Sequence, residues 1–454
     1  MATLQQFAVS GARQDFVPRS DLPASGLASG GSAYQRLKSE LHRKLLGCVN
    51  LEALLSLPEE RMRAETRTVL ARLLEQDSAA LNSMEQRRVT DEVLDEVFGL
   101  GPLEPLLQDP TISDILVSTP RLVYIERAGK LYLTTVQFQD NNHLLRIIER
   151  IVSRVGRRID ESCPMVDARL PDGSRVNAVI PPIALDGPAL SIRRFSKDPL
   201  KAEDLVHNLT WMEPMREFLS AAVAARLNIV VCGGTGAGKT TLLNVLSSFI
   251  PETERIVSIE DAAELQLRQT HVVRLETRPP NMEGAGAIRI RDLVINALRM
   301  RPDRIIVGEV RGAEALDMMQ AMNTGHDGSL TTIHANNPRD GMSRLEVMMG
   351  MANSSMSVQS IRQQICSAVD LFVHVSRFSD GSRRVTHISE CVGMESGAIT
   401  MQDVFLFERQ GITRDGKVVG RFHATGIRPL CCDAITCAGF ELPNSLFQAV
   451  AEIR

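Results

Sequence analysis

One short stretch of the chain has the spacing of a loop that binds the phosphate groups of a nucleotide. Residues 233–240 fit the pattern G-x-x-x-x-G-K-[ST], between an apolar run of strand length and a run with helical periodicity. In such a loop, backbone N–H groups approach the phosphates, Lys239 reaches the β and γ oxygens, and Thr240 can ligate magnesium. The predicted nucleotide-binding residues are Gly233, Gly234, Thr235, Gly236, Ala237, Gly238, Lys239, Thr240 and Thr241.

Glu309 follows a second apolar run of strand length, as the carboxylate of a Walker B strand does. The residue before it is Gly308 rather than aspartate, so Thr240, the phosphates and water would hold most of the magnesium shell. Glu309 would then hold a metal-bound water or polarise the attacking water. We therefore predict Glu309 as a catalytic residue and, with Thr240, as a metal ligand. The alternative is that Glu309 is a surface residue at a strand end.

Glu260 ends another strand-like run, which begins at Ile256. The strand ends of an open α/β sheet converge on the ligand crevice, which makes Glu260 a second candidate for orienting water. For Asp261 and Glu264, helix capping and catalysis both remain open.

His326 and His334 flank a short strand-like run in the segment 324–336. A residue that senses the nucleotide needs a polar group that touches the γ-phosphate or the attacking water and responds to its loss. His326 and His334 fit that role, and the Gly-His-Asp-Gly context favours it for both. The alternative for each is a packed or surface histidine.

Four arginines precede the phosphate loop in strand-like segments. A guanidinium group meets the negative charge that develops on the transferred γ-phosphoryl group better than other side chains do. These arginines could reach a nucleotide across a domain cleft or across a subunit interface, and the alternative is that they are solvated strand residues. They are Arg169, Arg175, Arg193 and Arg194.

The composition is that of an ordinary globular protein, with 454 residues, 44% of them hydrophobic and 23% charged. A net charge of −4 gives no reason to expect nucleic-acid binding. The apolar runs are far shorter than a membrane span, and the first ten residues lack a signal-peptide pattern. The scattered cysteines favour free thiols in a cytosolic protein. A metal site at Cys431, Cys432 and Cys437 is the less favoured alternative, because four ligands at workable spacing are missing.

Changes in composition along the chain predict five segments. Residues 1–33 are rich in Ser, Gly and Ala and predict a flexible tail. Residues 34–98 carry apolar stripes at helical spacing and predict a helical bundle. Residues 99–197 predict an α+β domain that contains a hairpin with a Pro-Asp-Gly turn. Residues 198–426 alternate strands and helices in the way of a parallel α/β sheet, and residues 427–454 form a C-terminal segment.

Four stretches together resemble the Walker A, Asp box, Walker B and His box of the type II/type IV secretion ATPase superfamily. These stretches are 233–240, 259–265, 299–311 and 324–336. Residues 167–195, with Arg-Val-Asn-Ala and Ile-Arg-Arg-Phe, resemble the CpaF-type branch, the tight-adherence (Flp) pilus assembly ATPases. The chain lacks the tetracysteine zinc module of many type II secretion ATPases, which argues against that branch.

The resemblance implies an α/β fold in which a RecA-like P-loop NTPase domain follows a PAS-like α+β domain and an N-terminal helical bundle. It implies an ATP hydrolase that uses ATP and Mg²⁺ and forms a homo-hexamer on inner-membrane platform proteins. The protein would be cytoplasmic and peripheral at the inner membrane through those partners. In that family, arginines of the N-terminal domain contact the γ-phosphate, and Arg175 and Arg193 match those positions.

Three functions remain open at this point. The expected one is a motor that hydrolyses ATP to power assembly of a tight-adherence pilus or a related secretion process. A type IV secretion or conjugation ATPase would move protein or DNA instead. A low-turnover, nucleotide-gated assembly scaffold is the third, and the intact Lys239, Glu309 and two histidines count against it. We expect no direct binding of nucleic acid or lipid.

Overall fold

The computed structural model describes residues 32–48, 58–76, 81–195, 199–280 and 285–453. The predicted flexible tail, residues 1–33, lies outside these ranges except for its last two residues. The chain divides into two compact units. One holds the described residues up to Gln108 together with Val136–Ile151, and the other holds Asp109–Thr135 and the described residues from Val152 onward.

The first unit consists of helices and the loops that join them. Apolar residues spaced by three and four place Leu41, Leu70 and Val93 in one buried cluster between its first three helices. Asn82 and Glu85 form a reciprocal capping box that fixes the start of the third helix. The helices are α1 (Ser32–Cys48), α2 (Glu59–Gln76), α3 (Ser83–Phe98), α4 (Glu104–Gln108), and α5 (Asn141–Arg154) as far as Ile151.

The second unit begins with an antiparallel sheet in the strand order β3-β2-β1-β6-β5-β4. The expected Pro-Asp-Gly turn joins β4 to β5, and Gly173 adopts a φ of +91° there, which favours glycine. The strands are β1 (Ile112–Thr119), β2 (Leu122–Arg127), β3 (Lys130–Leu133), β4 (Met165–Arg169), β5 (Arg175–Val179) and β6 (Ala189–Arg193).

A second sheet of this unit has parallel neighbours in the order β12-β7-β11-β10-β8-β9. Its strands are β7 (Ile229–Gly233), β8 (Ile256–Glu260), β9 (Val272–Glu276), β10 (Arg304–Val307), β11 (Leu330–His334) and β12 (Leu371–Arg377). Its helices are α6 (Ala202–His207), α7 (Glu213–Ala224), α8 (Lys239–Ser247), α9 (Ile290–Ala297), α10 (Glu314–Asn323), α11 (Pro338–Ala352) and α12 (Val358–Ala368). The parallel direction brings the carboxyl ends of these strands to one edge.

The expectation of alternating strands and helices up to residue 426 is wrong beyond β12. The sheet continues there through antiparallel strands, in the order β12-β13-β14-β15-β16. Each pair of consecutive strands from β12 to β15 is joined by a short turn that holds a glycine at positive φ, namely Gly381, Gly397 and Gly416. Such short turns permit only antiparallel neighbours. These elements are β13 (Arg383–Glu395), β14 (Ala398–Ile412), β15 (Val418–Ala424), α13 (Cys432–Cys437) and β16 (Val450–Ile453).

Buried apolar residues cover both faces of the parallel strands, and every residue of β7, β8 and β10 is buried. Trp211 lies in the cluster on one face, where it is fully buried and its indole Nε1 donates to the carbonyl of Ala202 at 3.2 Å. None of the helices in the described ranges combines the length and the apolar composition that a bilayer span requires.

Candidate active site

The phosphate loop lies between the end of β7 and the start of α8, at the carboxyl edge of the parallel strands. Gly236 and Gly238 adopt φ values of +68° and +99°, a region that favours glycine. At Gly233 a side chain would begin 2.3 Å from the carbonyl oxygen of Val375, so strand packing requires glycine there. These glycines shape a loop that leads directly into the N-terminus of α8, where free N–H groups favour anions.

Lys239 is the first residue of α8, and its side chain is folded back over the loop. Its ammonium donates to the carbonyl of Gly234 at 3.1 Å and lies 3.2 Å from Nε2 of His334. Burial lowers the pKa of Lys239 because it disfavours the charged form, although Glu309 opposes the shift. A largely buried cation therefore lies inside the loop, where phosphate groups of a nucleotide would need one.

Glu309 and His334 meet beside this lysine. Nε2 of His334 lies 3.0 Å from Oε1 of Glu309, at the carboxyl ends of the adjacent strands β11 and β10. Oε1 of Glu309 is buried, and it accepts no hydrogen bond from the described residues. Burial, followed by the charge of Lys239, lowers the pKa of His334 and favours the neutral imidazole.

Arg311 fixes the other oxygen of this carboxylate, a role that the sequence did not suggest. Its Nη2 donates to Oε2 of Glu309 at 2.6 Å, and its Nη1 lies 3.3 Å from Oδ2 of Asp261. Because one oxygen of Glu309 is engaged by Arg311, the unpartnered Oε1 is left facing His334. The carboxylate is thus oriented with one free acceptor at the loop.

Glu260 holds the segment that follows β8. Its Oε2 accepts the backbone N–H groups of Glu264 at 2.7 Å and Leu265 at 2.9 Å, while its buried Oε1 has no partner among the described residues. Burial raises the pKa of Glu260. The capping alternative for Asp261 and Glu264 is wrong, because the described chain runs from Glu260 to β9 without a helix.

The structure brings two of the four predicted arginines towards this edge. Nη2 of Arg169 donates to the carbonyl of Ala263 at 2.7 Å. Nη1 of Arg193 lies 3.9 Å from Oε1 of Glu264, and the charge of Arg193 contributes to the lowered pKa of Lys239.

The other two arginines contact their own sheet. Arg175 lies 3.9 Å from Asp167 across the β4–β5 hairpin. Arg194 donates to the carbonyl groups of Asp109 and Ile112 beside β1. Within one chain, neither residue is brought to the phosphate loop.

His326 is also separated from the cluster. It precedes the amino end of β11, whereas His334 ends that strand and pairs in register with Gly233. A five-residue strand is about 13 Å long. The two histidines therefore lie at opposite ends of β11. The buried Nδ1 of His326 has no hydrogen-bond partner among the described residues.

Two further arginines that the sequence did not suggest lie against the loop. Nε of Arg383 donates to the carbonyl of Gly236 at 3.1 Å. Nη1 of Arg377 lies 3.2 Å from the position where a side chain on Gly236 would begin. Both residues come from the β12–β13 turn region, and the pairing of β12 with β7 brings them to the loop.

The donor set at this edge fits magnesium held together with a nucleotide. Glu260 is the last residue of β8, and Glu309 follows the neighbouring strand β10. The buried Oε1 atom of each accepts no hydrogen bond from the described residues, and carboxylate oxygens are ligands that Mg²⁺ prefers. Among the described residues, no group of three or more His, Cys, Asp or Glu is arranged to hold a metal. Phosphate oxygens and water would therefore have to complete the shell.

The family model for "Type II/IV secretion system protein" matches residues 96–414. The chain belongs to this family. The predicted superfamily and the predicted class of enzyme, an ATP hydrolase with a P-loop, are thereby confirmed. The family assignment covers the phosphate loop, both carboxylate-bearing strand ends and the segment with the two histidines.

Several relatives are similar over most of their own length. A putative conjugal transfer protein of Mycobacterium tuberculosis is 41% identical over 303 residues, which cover 65% of this chain and 85% of that protein. The type IV secretion system protein VirB11 of Brucella suis is 32% identical over 321 residues, covering 64% and 88%. The crystal structure of the VirB11 ATPase from the Brucella suis type IV secretion system, in complex with sulphate, matches 66% of this chain and 95% of its own. The identity is 30% and the TM-score 0.35.

Proposed function

We propose that the chain is an ATP-hydrolysing motor of a secretion machine at the inner membrane. The observation that carries the proposal is the convergence of Lys239, His334 and Glu309 on the phosphate loop. We assign residues 198–426 as the RecA-like domain and residues 99–197 as the PAS-like domain. The helices between residues 34 and 98 would serve as a docking module.

In this proposal the residues of the loop bind and orient ATP. The N–H groups of residues 233–241 hold the phosphates, and Lys239 lies against the β and γ oxygens. Thr240 and Glu309, together with the phosphates and water, would hold Mg²⁺, whose charge would neutralise part of the phosphate charge.

Glu309 orients the attacking water through Oε1, the atom that Arg311 leaves free. His334 is neutral and lies between Lys239 and Glu309, so it can respond to a change in either. Glu260 is the second candidate for holding water.

Arginines supply positive charge from the first sheet. Arg193 and Arg169 are near enough to the segment after β8 to act within one chain. Arg175, Arg194 and His326 would act only across an interface with a second copy, and this is one reason to propose a homo-hexamer. Partner proteins in the membrane would hold the ring, with the chain itself cytoplasmic and peripheral.

The names of the relatives favour one cargo over another. The Mycobacterium relative is named for conjugal transfer and the Brucella relative for type IV secretion. We therefore propose transport of protein or DNA as the first candidate. Assembly of a tight-adherence pilus is the second, and it rests on the resemblance of residues 167–195 to the CpaF-type branch. The intact Lys239 and Glu309 argue against a low-turnover scaffold.

The test has a biochemical and a cellular arm. Purified full-length protein should release phosphate from Mg²⁺·ATP and elute as a hexamer in size-exclusion chromatography with light scattering. An absence of turnover in the assembled protein would support the scaffold. Replacing the chromosomal copy with Glu309→Gln should abolish transfer of protein or DNA, whereas loss of surface pili with intact transfer would favour the pilus motor.

A further inference from the structure

Two arginines of the β12–β13 turn region lie directly against the phosphate loop. Arg383 donates from Nε to the carbonyl of Gly236 at 3.1 Å, and its Cδ is 3.2 Å from the position where a side chain on Gly238 would begin. Nη1 of Arg377 is likewise 3.2 Å from the position where a side chain on Gly236 would begin. The two guanidinium groups are thus placed at the part of the loop where the backbone has its two positive φ values.

Both guanidinium groups lie near one carboxylate of the first sheet. Oε1 of Glu126, on β2, is 3.6 Å from Nη2 of Arg377 and 3.9 Å from Nη2 of Arg383. Arg377 also donates to the carbonyl of Gly129 in the β2–β3 turn. Glu126 balances one of the two positive charges, so a surplus of positive charge remains beside the loop.

This surplus is present at any physiological pH. Burial, followed by repulsion from Arg377, lowers the pKa of Arg383. Arginine side chains are nevertheless effectively always protonated in proteins, so the positive charge beside the loop persists. Two charged guanidinium forks held beside a loop that binds phosphate form a recognition site for phosphate oxygens.

We propose that Arg377 and Arg383 bind the phosphate groups of the nucleotide and that Glu126 competes with those phosphates for them. The inference rests on the proposed nucleotide site. Phosphate carries more charge than a carboxylate and accepts bidentate hydrogen bonds from arginine. Binding of a nucleotide therefore weakens the contacts that tie the β2–β3 hairpin to Arg377, at Glu126 and Gly129.

The decisive variant is Glu126→Gln, which keeps the shape of the side chain and removes its charge. If Glu126 competes with phosphate, this variant binds Mg²⁺·ADP more tightly, with a dissociation constant about three- to tenfold lower in titration calorimetry. A purely structural role for Glu126 predicts unchanged or weaker binding, and either result would overturn the inference. Misfolding cannot produce the expected gain in affinity.

Arginine variants test the other half of the proposal. Arg377→Ala and Arg383→Ala should each weaken ADP binding at least about tenfold, and Arg383→Lys should recover part of the loss. Adding Glu126→Gln to Arg377→Ala should give a smaller gain than in the wild-type background, because one competing partner is gone. The matched control is Arg421→Ala. Arg421 lies on β15 and forms an ion pair with Glu408 on β14, and the variant should bind ADP like wild type.

Hydrogen exchange provides a readout that does not depend on affinity. Amides of residues 122–133 should exchange faster after saturation with Mg²⁺·ADP, and unchanged or slower exchange would contradict the competition. Failure of the wild-type protein to bind ADP would instead overturn the proposed function. Normal binding by the wild type with no effect of Glu126→Gln, Arg377→Ala and Arg383→Ala would overturn this inference alone.

Discussion

Glu260 occupies the space that a side chain on Gly308 would need. The Cγ atom of Glu260, on β8, lies 3.0 Å from the position where that side chain would begin on the neighbouring strand end. The residue before Glu309 is therefore kept small by a carboxylate from the next strand. The buried Oε1 of the same Glu260 side chain accepts no hydrogen bond from the described residues.

This relationship predicts that a larger residue at position 308 is unfavourable, because the Glu260 side chain would have to move. A Gly308→Ala change forces Glu260 or its strand to shift, at a cost of about 1–3 kcal/mol, and disturbs the N–H contacts that Glu260 makes. We expect a lower thermal midpoint and slower ATP hydrolysis, measured by calorimetry and phosphate release. A second variant, Gly308→Asp, tests the same packing. If it were as stable as wild type and hydrolysed ATP faster than wild type, this packing argument would be contradicted.

Lys239 and Glu309 should be required for different steps. Lys239→Ala removes the buried cation of the loop and should abolish both nucleotide binding and hydrolysis. Glu309→Gln should bind ATP while hydrolysing it at least about 100-fold more slowly, because the carboxylate that orients the attacking water is lost. Equilibrium binding and single-turnover kinetics separate the two effects. A Glu309→Gln protein that turns over like wild type would remove this residue from catalysis.

Variants of Arg193 and Arg175 should differ in whether a second kind of subunit can restore their ATP hydrolysis. The structure places Arg193 near Glu264 in its own chain, whereas Arg175 contacts Asp167 on its own hairpin. Both Arg193→Gln and Arg175→Gln should lower turnover at least about tenfold. Mixing with Lys239→Ala subunits should restore activity to the Arg175 variant, through a neighbouring subunit, but not to the Arg193 variant. Equal behaviour of the two mixtures would show that both residues act in the same way.

The pH dependence of hydrolysis should report His334. Its pKa is lowered by burial and by Lys239, so the imidazole is neutral at pH 7 and becomes protonated only below its ordinary range near 6.5. Protonation would place a second cation beside Lys239, and kcat/KM should fall as the pH is lowered through that region. In His334→Asn the acid limb should disappear while the rate at neutral pH is lower. A retained acid limb would assign it to another group.

Asp370 should lower stability at neutral pH. Burial raises the pKa of Asp370 to about 6. The folded-state value lies above the ordinary value of about 3.9, so the stability from this group is complete at low pH and is lost as the pH rises through 6. At pH 8, Asp370→Asn should therefore have a free energy of unfolding that is higher than that of wild type by roughly 2–3 kcal/mol, measured by denaturant titration. Near pH 4 the two proteins should have the same free energy of unfolding.

The exposed Asp415→Asn is the matched control for Asp370→Asn. It lies in the turn between β14 and β15, and we expect it to behave like wild type at both pH values. A stability gain of Asp370→Asn that is equal at pH 8 and pH 4 would contradict the assignment to the charge of Asp370.

The sequence was most informative where structure is local. The apolar runs of β7 and β8, the glycines of the loop and the helix after Lys239 depend on neighbours in the chain, so their pattern predicts them. Arg377 and Arg383 follow the loop by about 140 residues, and only the pairing of β12 with β7 brings them there. Such contacts depend on strand order, which periodicity does not reveal.

The antiparallel strands could have been recognised from their turns. Asp380-Gly381, Ser396-Gly397 and Asp415-Gly416 are dipeptides typical of hairpins, and each separates two strand-like runs. The separation of His326 from His334 could also have been inferred from the sequence. The strand-like run that lies between the two histidines is extended as β11, and it therefore holds them apart.

The burial of Trp211 gives the protein a built-in optical probe. It is the single tryptophan of the sequence and lies in the core of the unit that holds the phosphate loop. Emission excited at wavelengths that only indole absorbs therefore reports the folding of that unit alone, whereas far-ultraviolet dichroism also records the helices of the other unit. Denaturation curves that fail to coincide between the two signals would reveal independent unfolding of the units. The same emission would allow nucleotide-induced stabilisation to be followed without a label.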